Sequence, residues 1–230
     1  MDFSIILPSY NEADNLPSVL GDIKEKFDGL GISYEVIVVD DGSTDDTQDI
    51  LISLGKETPE LNNTKIWPNA GFGAAVIKGL ALARGEVLGF MDADGQIEAK
   101  YLSQLYLKLT KEGFDFCKAK RVKRDDGFRR VFVSKIYNSI FKMTFGGKTD
   151  DICGKPKIFT RDFYEKIKPL SSKKWFIDSE IIIKAIGNKS RVGDLPIVFL
   201  ARKKGFSKAK FLATAIEYLK NIYYWRFVKK

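Results

Sequence analysis

The residues with the most chemistry in this chain are Asp92-Ala93-Asp94-Gly95-Gln96. The apolar run Val87-Leu88-Gly89-Phe90-Met91 precedes them and reads as a strand buried on both faces. Two carboxylates one residue apart repel each other unless a cation sits between them. Carboxylate and amide oxygens are hard ligands, suited to Mg²⁺ or Mn²⁺. A solvated turn explains the same residues, since Asp and Gly are common in turns.

Three further stretches bear on that choice. Pro8-Ser9-Tyr10-Asn11-Glu12 follows an apolar run from Phe3 to Leu7, and Asp40-Asp41-Gly42-Ser43 follows one from Tyr34 to Val39. Helix capping accounts for Ser43 or Asp45, but not for two carboxylates ahead of Gly42. A carboxylate at a strand end can accept hydrogen bonds from a base or a ribose. Asn69-x-Gly71-x-Gly73, with Gly79 beyond it, reads either as a phosphate cradle or as small residues for close helix–sheet packing. Asp178-x-Glu180 offers a general base for transfer to a hydroxyl, and equally an acidic first turn of a helix.

The elements that must position these residues alternate strand and helix over the first hundred positions. Strands are expected at Phe3 to Leu7 (ended by Pro8), Tyr34 to Val39, near Thr64 to Trp67, and at 86–91. Helices are expected over about 15–28 (capped by Asp14), from Asp45 to about Leu54, and from after Gly73 to about Ala83. Later, strands are expected at Asp115 to Ala119, ending at Phe159, and at Arg191 to Leu200. Helices are expected over Val131 to Phe145, from Trp175 to Gly187, and from Ser207 onward. Arg121 to Arg130 reads as a mobile loop. The pattern is α/β: a single domain with a mostly parallel central sheet flanked by helices. Ligands in such sheets bind beyond the carboxyl ends of the strands, where three of the polar loops lie.

Length and composition set the bounds. The chain has 230 residues, enough for one domain rather than two. Cys117 and Cys153 have no metal-ligand spacing and suggest a reducing compartment. The absence of histidine removes the usual general base. No signal peptide and no membrane-spanning run is expected. Residues 1–100 carry 18 acidic and 7 basic side chains, whereas 101–230 carry 12 and 31. The first half is therefore suited to cations and the second to anions. A nicotinamide oxidoreductase would want a glycine-rich turn where Pro8-Ser9-Tyr10 stands. A nucleic-acid-binding module would leave the acidic loops without a purpose, so no nucleic-acid partner is expected.

Taken together, Ile6-Leu7-Pro8-Ser9-Tyr10-Asn11-Glu12, Val39-Asp40-Asp41-Gly42-Ser43-Thr44-Asp45, Asn69-x-Gly71-x-Gly73 and Asp92-Ala93-Asp94 resemble the family 2 glycosyltransferases of GT-A fold. Gln96, Arg121, Arg130-x-x-x-Ser134 with Asn138, Asp151-x-x-Gly154 and Arg202-x-x-Gly205-x-Ser207-Lys208 look most like the polyprenyl- and dolichyl-phosphate mannose or glucose synthases. The resemblance implies an inverting enzyme with a GDP- or UDP-linked sugar donor and Mg²⁺ or Mn²⁺. Asp92, Asp94 and Gln96 would hold the metal, with Asp92, Asp94 and Arg202 serving the reaction at the diphosphate. Pro8, Tyr10, Glu12, Asp40 and Asp41 would form the nucleotide site. Arg121, Arg130, Ser134 and Lys208 would receive the acceptor phosphate of a polyprenyl or dolichyl phosphate. Lys118-Ala119-Lys120 and Cys153-Gly154-Lys155-Pro156 depart from the family pattern. The alternative acceptor is a glycan hydroxyl. A lipid phosphate needs no base because it is already anionic, whereas a hydroxyl needs one, with Asp178 or Glu180 as candidates.

The chain thus reads as a donor half (1–100), an acceptor half (101–206) and a basic amphipathic tail (207–230). In the tail Phe211, Leu212, Ala215, Ile216, Leu219, Ile222, Tyr223 and Phe227 fall on one helical stripe amid basic residues. It reads either as a helix packed on the domain or as an interfacial helix on an anionic membrane. The second reading makes the protein cytoplasmic and peripheral to the membrane, with room for a separate membrane-protein partner.

Overall fold

The computed structural model describes residues 1–124, 127–147, 150–201 and 211–229, with Arg124, Arg129, Phe211 and Leu212 described by backbone alone. Strands β1 (Phe3–Ser9), β2 (Tyr34–Asp40) and β4 (Val87–Phe90) are buried at every position. That burial is why they read as continuous apolar runs rather than alternating ones. Between them lie α1 (Leu16–Asp28), α2 (Thr47–Glu57), β3 (Leu61–Lys65) and α3 (Phe72–Leu82). After β4 come α4 (Ala99–Glu112), β5 (Phe116–Arg124), α5 (Phe128–Phe145), β6 (Lys157–Thr160), α6 (Arg161–Ile167), α7 (Ile177–Gly187), β7 (Val192–Phe199) and α8 (Phe211–Tyr223). A π-helical segment, Tyr224–Val228, extends α8.

The described strands form one sheet in the order β3-β2-β1-β4-β6-β5-β7. Only β6 runs against its neighbours; the other pairings are parallel. Helices cover both faces. Leu16, Leu20, Ile23 and Phe27 of α1 and Leu102, Leu105 and Leu109 of α4 pack in one core. Ala75, Val76 and Leu80 of α3, Phe141 of α5, Phe163 of α6 and Ile177 and Ile181 of α7 pack in the other. Among the described residues no helix is long and apolar enough to cross a membrane.

Several boundaries differ from the sequence reading. Pro8 does not end β1, which continues to Ser9. Beyond Ile6 the strand has lost its β4 partner, so a residue without an N–H is tolerated there. The N-cap of α1 is Asn15 rather than Asp14. β3 lies at Leu61–Lys65, earlier than Thr64 to Trp67. The largest correction is at Arg121 to Arg130. It is not simply a loop: β5 runs through Arg124 and α5 begins at Phe128. β7 supplies the ladder, pairing Arg121 with Ile197 and Arg124 with Phe199 across a bulge. Helices α4 and α6 were not anticipated, although Leu102, Leu105 and Leu109 follow the helical period on a buried face.

Candidate active site

The carboxyl ends of β1, β2 and β4 lie side by side, because β1 pairs with both of the others. The loops that follow them open into one cavity of about 710 Å³. Pro8, Tyr10, Glu12, Asp41, Asp92, Asp94 and Gln96 line it. From the second half, Arg121, Arg130, Ser134 and Asp178 line it too. Arg202 and Lys208 lie outside the described residues.

The structure sorts these candidates. Asp40 is wholly buried and is not part of the cavity wall. Its Oδ1 accepts the Ser43 N–H at 2.9 Å, and Lys65 Nζ stands 3.6 Å from Oδ2. Asp41 reaches the wall, and its carboxylate accepts the N–H groups of Ala70 and Gly71, each at 2.8 Å. Burial raises its pKa, those N–H groups pull the other way, and Asp40 adds to the rise. Asp41 therefore anchors the glycine loop. That loop shows close packing more than a phosphate cradle. The Lys173 carbonyl accepts the Ala74 N–H at 2.9 Å, and a Cβ on Gly73 would stand 2.1 Å from Ser172 O. A Cβ on Gly79 would stand 2.4 Å from Ile6.

Asp94 Oδ1 accepts the Gln96 N–H at 3.1 Å, and Gln96 Nε2 donates to Leu200 O at 2.9 Å. The Gln96 amide is thereby fixed, with Oε1 as the atom it can offer a metal. Among the described residues no three His, Cys, Asp or Glu side chains cluster as a metal cage. The two carboxylates and an amide suit a hard divalent cation that shares its shell with phosphate oxygens and water.

The two candidate bases part company. Glu180 is wholly buried, off the cavity wall, and accepts the N–H groups of Ser171 and Ser172 at 2.9 and 2.7 Å. It ties down the segment that covers α3. Asp178 does line the cavity, but Lys157 Nζ donates to its Oδ1 at 2.6 Å. Arg121 lies on the wall with its guanidinium against Asp151, Nε to Oδ2 at 2.8 Å. Arg130 is exposed at the start of α5, one turn from Ser134, and both line the cavity.

Sequence reasoning gave no role to Lys155 or Lys157. Both come from the amino end of β6, which its antiparallel course brings to the rim where β4 ends. Lys155 Nζ donates to Asp92 Oδ1 at 2.7 Å. Burial disfavours its charge, but Asp92 and Asp178 more than offset that and its pKa is raised. Its ammonium lies 4.0 Å from the Phe72 ring centre and 5.3 Å from that of Trp175. The one available signal was two lysines at the start of a short apolar strand, since lysine is rarely buried unpaired. Tyr137 of α5 and Tyr218 of α8 meet in a tilted ring contact, centres 4.5 Å apart, and both line the cavity.

Comparisons with known proteins bear on the family and the fold. A Bacillus subtilis (strain 168) protein named as a glycosyltransferase, CsbB, is 30% identical over 211 residues, covering 90% of this chain and 62% of its own length. The undecaprenyl-phosphate 4-deoxy-4-formamido-L-arabinose transferase of Salmonella paratyphi B (strain ATCC BAA-1250 / SPB7) is 26% identical, over 91% of this chain and 63% of its own. The chain thus spans less than two thirds of these curated relatives. Glucosyl-3-phosphoglycerate synthase from Mycobacterium tuberculosis, solved with Mn²⁺, UDP-glucose and phosphoglyceric acid, superposes with a TM-score of 0.78 at 19% identity, over 96% of this chain and 78% of that one. That likeness shows a shared GT-A fold. The model described as "Glycosyl transferase family 2" matches residues 4–168, and on that match the chain belongs to this family of glycosyltransferases.

Proposed function

We propose that the chain moves a hexose from a nucleotide sugar to a polyprenyl phosphate, with inversion and with a divalent metal, at a cytoplasmic membrane surface. The observation that carries the acceptor choice is the state of the two candidate bases. Asp178 is held by Lys157, and Glu180 is committed to Ser171 and Ser172. A hydroxyl acceptor would need a carboxylate uncommitted to the protein's own donors, whereas a phosphate acceptor brings its own charge. The named substrate of the Salmonella relative supports an undecaprenyl phosphate, and the Mn²⁺ and UDP-glucose of the mycobacterial neighbour support the donor class.

In this reading the first-half loops hold the nucleoside and diphosphate, with Asp92, Asp94 and Gln96 as ligands of the metal. The metal supplies charge neutralisation at the departing diphosphate. Arg130 and Ser134 place the acceptor phosphate oxygen opposite the sugar's leaving bond. A bond from that oxygen to C1 forms as the bond from C1 to the diphosphate oxygen breaks, and no proton needs removal. A labelled panel of UDP- and GDP-sugars with a short polyprenyl phosphate tests this by extraction of the lipid phase. Label should enter the lipid with wild type, and Asp92→Asn should lower the rate by roughly a hundredfold or more. Label appearing only in water-soluble glycans would refute the acceptor assignment.

A further inference from the structure

Lys155 is the cation closest to the proposed metal ligands that any described contact reveals. It is 8% exposed and faces the cavity beside Asp92 and Asp94. Its ammonium touches Asp92 Oδ1 at 2.7 Å and stands 3.9 Å from Asp178 Oδ2. Asp178 does not depend on it, because Lys157 already holds that carboxylate at 2.6 Å and donates to Gly154 O at 2.8 Å. Lys157 is wholly buried and Lys155 is the one of the two that reaches the cavity. Phe72 and Trp175, stacked with centres 5.0 Å apart, stand together beside the Lys155 ammonium. Aromatic faces stabilise such a cation without satisfying its three N–H donors. Lysine is a compact charge on a flexible stem, so a small rotation redirects it.

The electrostatics of this corner favour an anion partner for that ammonium. The described contact with Asp92 takes one of the three ammonium N–H donors, which leaves donors for a phosphate oxygen whether or not a divalent cation is bound. The diphosphate would arrive at the same place with negative charge of its own. We infer that Lys155 is a protein-borne cation for the donor diphosphate, resting on Asp92 in the free enzyme and turning to a phosphate oxygen in the donor complex. This rests on the donor reading above and adds a property to it: part of the diphosphate affinity is independent of metal. A lysine that merely neutralised Asp92 would stabilise the fold without distinguishing a diphosphate from a monophosphate.

Calorimetry in EDTA separates the two. Wild type is titrated with UDP, UMP and uridine, and with the guanosine series. For the base that binds, the diphosphate should bind about tenfold more tightly than the monophosphate, as one charge-assisted contact provides. Lys155→Met, which keeps an unbranched apolar stem beside Phe72 and Trp175, should abolish that difference and leave nucleoside affinity unchanged. Lys155→Arg should retain part of it. Circular dichroism checks folding, and Lys155→Gln replaces the methionine variant if that one does not fold. Equal affinity of wild type for di- and monophosphate in EDTA overturns the inference without any variant, as does a folded Lys155→Met that keeps the tenfold difference. If neither UDP nor GDP binds even with Mn²⁺, the donor reading itself fails; if they bind with Mn²⁺ and only the EDTA difference is missing, only the role of Lys155 fails.

Discussion

Arg121 and Asp151 form a bidentate pair, with guanidinium Nε 2.8 Å from Oδ2 and a terminal N–H donor 2.6 Å from Oδ1. The Arg121 backbone N–H adds a third bond to Oδ2 at 2.9 Å. Burial alone would raise the Asp151 pKa, but the hydrogen bonds and charge of Arg121 prevail and hold it at about 2. An unfolded aspartate titrates near 3.9, so the folded value is depressed. The stability from this pair is then fully present above about pH 4 and is lost as pH falls through about 2. Arg121→Met leaves Asp151 buried without its cation and should cost roughly 3 kcal/mol at neutral pH, read by urea unfolding. The variant's stability should also fall less between pH 4 and 2 than that of wild type. A neutral-pH loss near zero would make Arg121 available to the acceptor rather than to the fold. The resemblance gave Arg121 to the acceptor; its partner in the structure is a carboxylate of the same chain.

At the scale of elements, α3 and the segment from Ser171 to Lys174 behave as one unit. Asp41 holds the loop before the helix, Glu180 holds the covering segment, and the two meet where Gly73 has no side chain. Gly73→Ala places a methyl 2.1 Å from Ser172 O and 2.6 Å from Lys174 O. Overpacking of this kind costs about 1–3 kcal/mol, and the backbone must move to relieve it. The shift would carry Lys174 and Trp175, which line the cavity. Thermal unfolding should show the lower stability, and nucleotide affinity should weaken with it. A Gly73→Ala protein with unchanged melting would mean that the covering segment yields freely. The spacing of Gly71, Gly73 and Gly79 was legible in the sequence, but its purpose was not. A phosphate and a neighbouring carbonyl ask for the same missing side chain.

For the whole molecule, α8 packs one face on the domain and leaves other side chains exposed. Tyr218 packs on Tyr137 and Phe176, and its hydroxyl donates to Trp175 O at 3.3 Å. Thr214, Ala215 and Tyr218 line the cavity, so this face belongs to the domain. Leu219, Tyr223 and Phe227 are exposed by 56%, 63% and 65%. Phe128, Phe132 and Met143 of α5 are exposed as well. We propose that these residues meet a lipid surface, with Lys220, Arg226 and Lys229 adding on the order of 1 kcal/mol each near anionic headgroups. Wild type should cosediment with anionic vesicles at low salt, less at high salt, and little with neutral ones. Replacing Leu219 and Phe227 together by Ser should weaken that binding while leaving the melting temperature nearly unchanged. Indifference of wild type to anionic vesicles would remove the membrane proposal.

The alternation of strand and helix, the three polar loops at strand ends and the segregation of charge were all determined by the sequence itself. They depend on short-range periodicity and on which residue follows an apolar run, both of which are local. Tertiary structure decided the rest. β5 continues through a charged stretch only because β7 offers a ladder to it. Asp178 meets Lys157 only because β6 and α7 are folded together. Lys155 meets Asp92 across 63 positions of chain because β6 runs antiparallel beside β4. Strand pairing and the neutralisation of buried charge are long-range contacts, and the residues that make them carry no mark of their partners in the order of the chain.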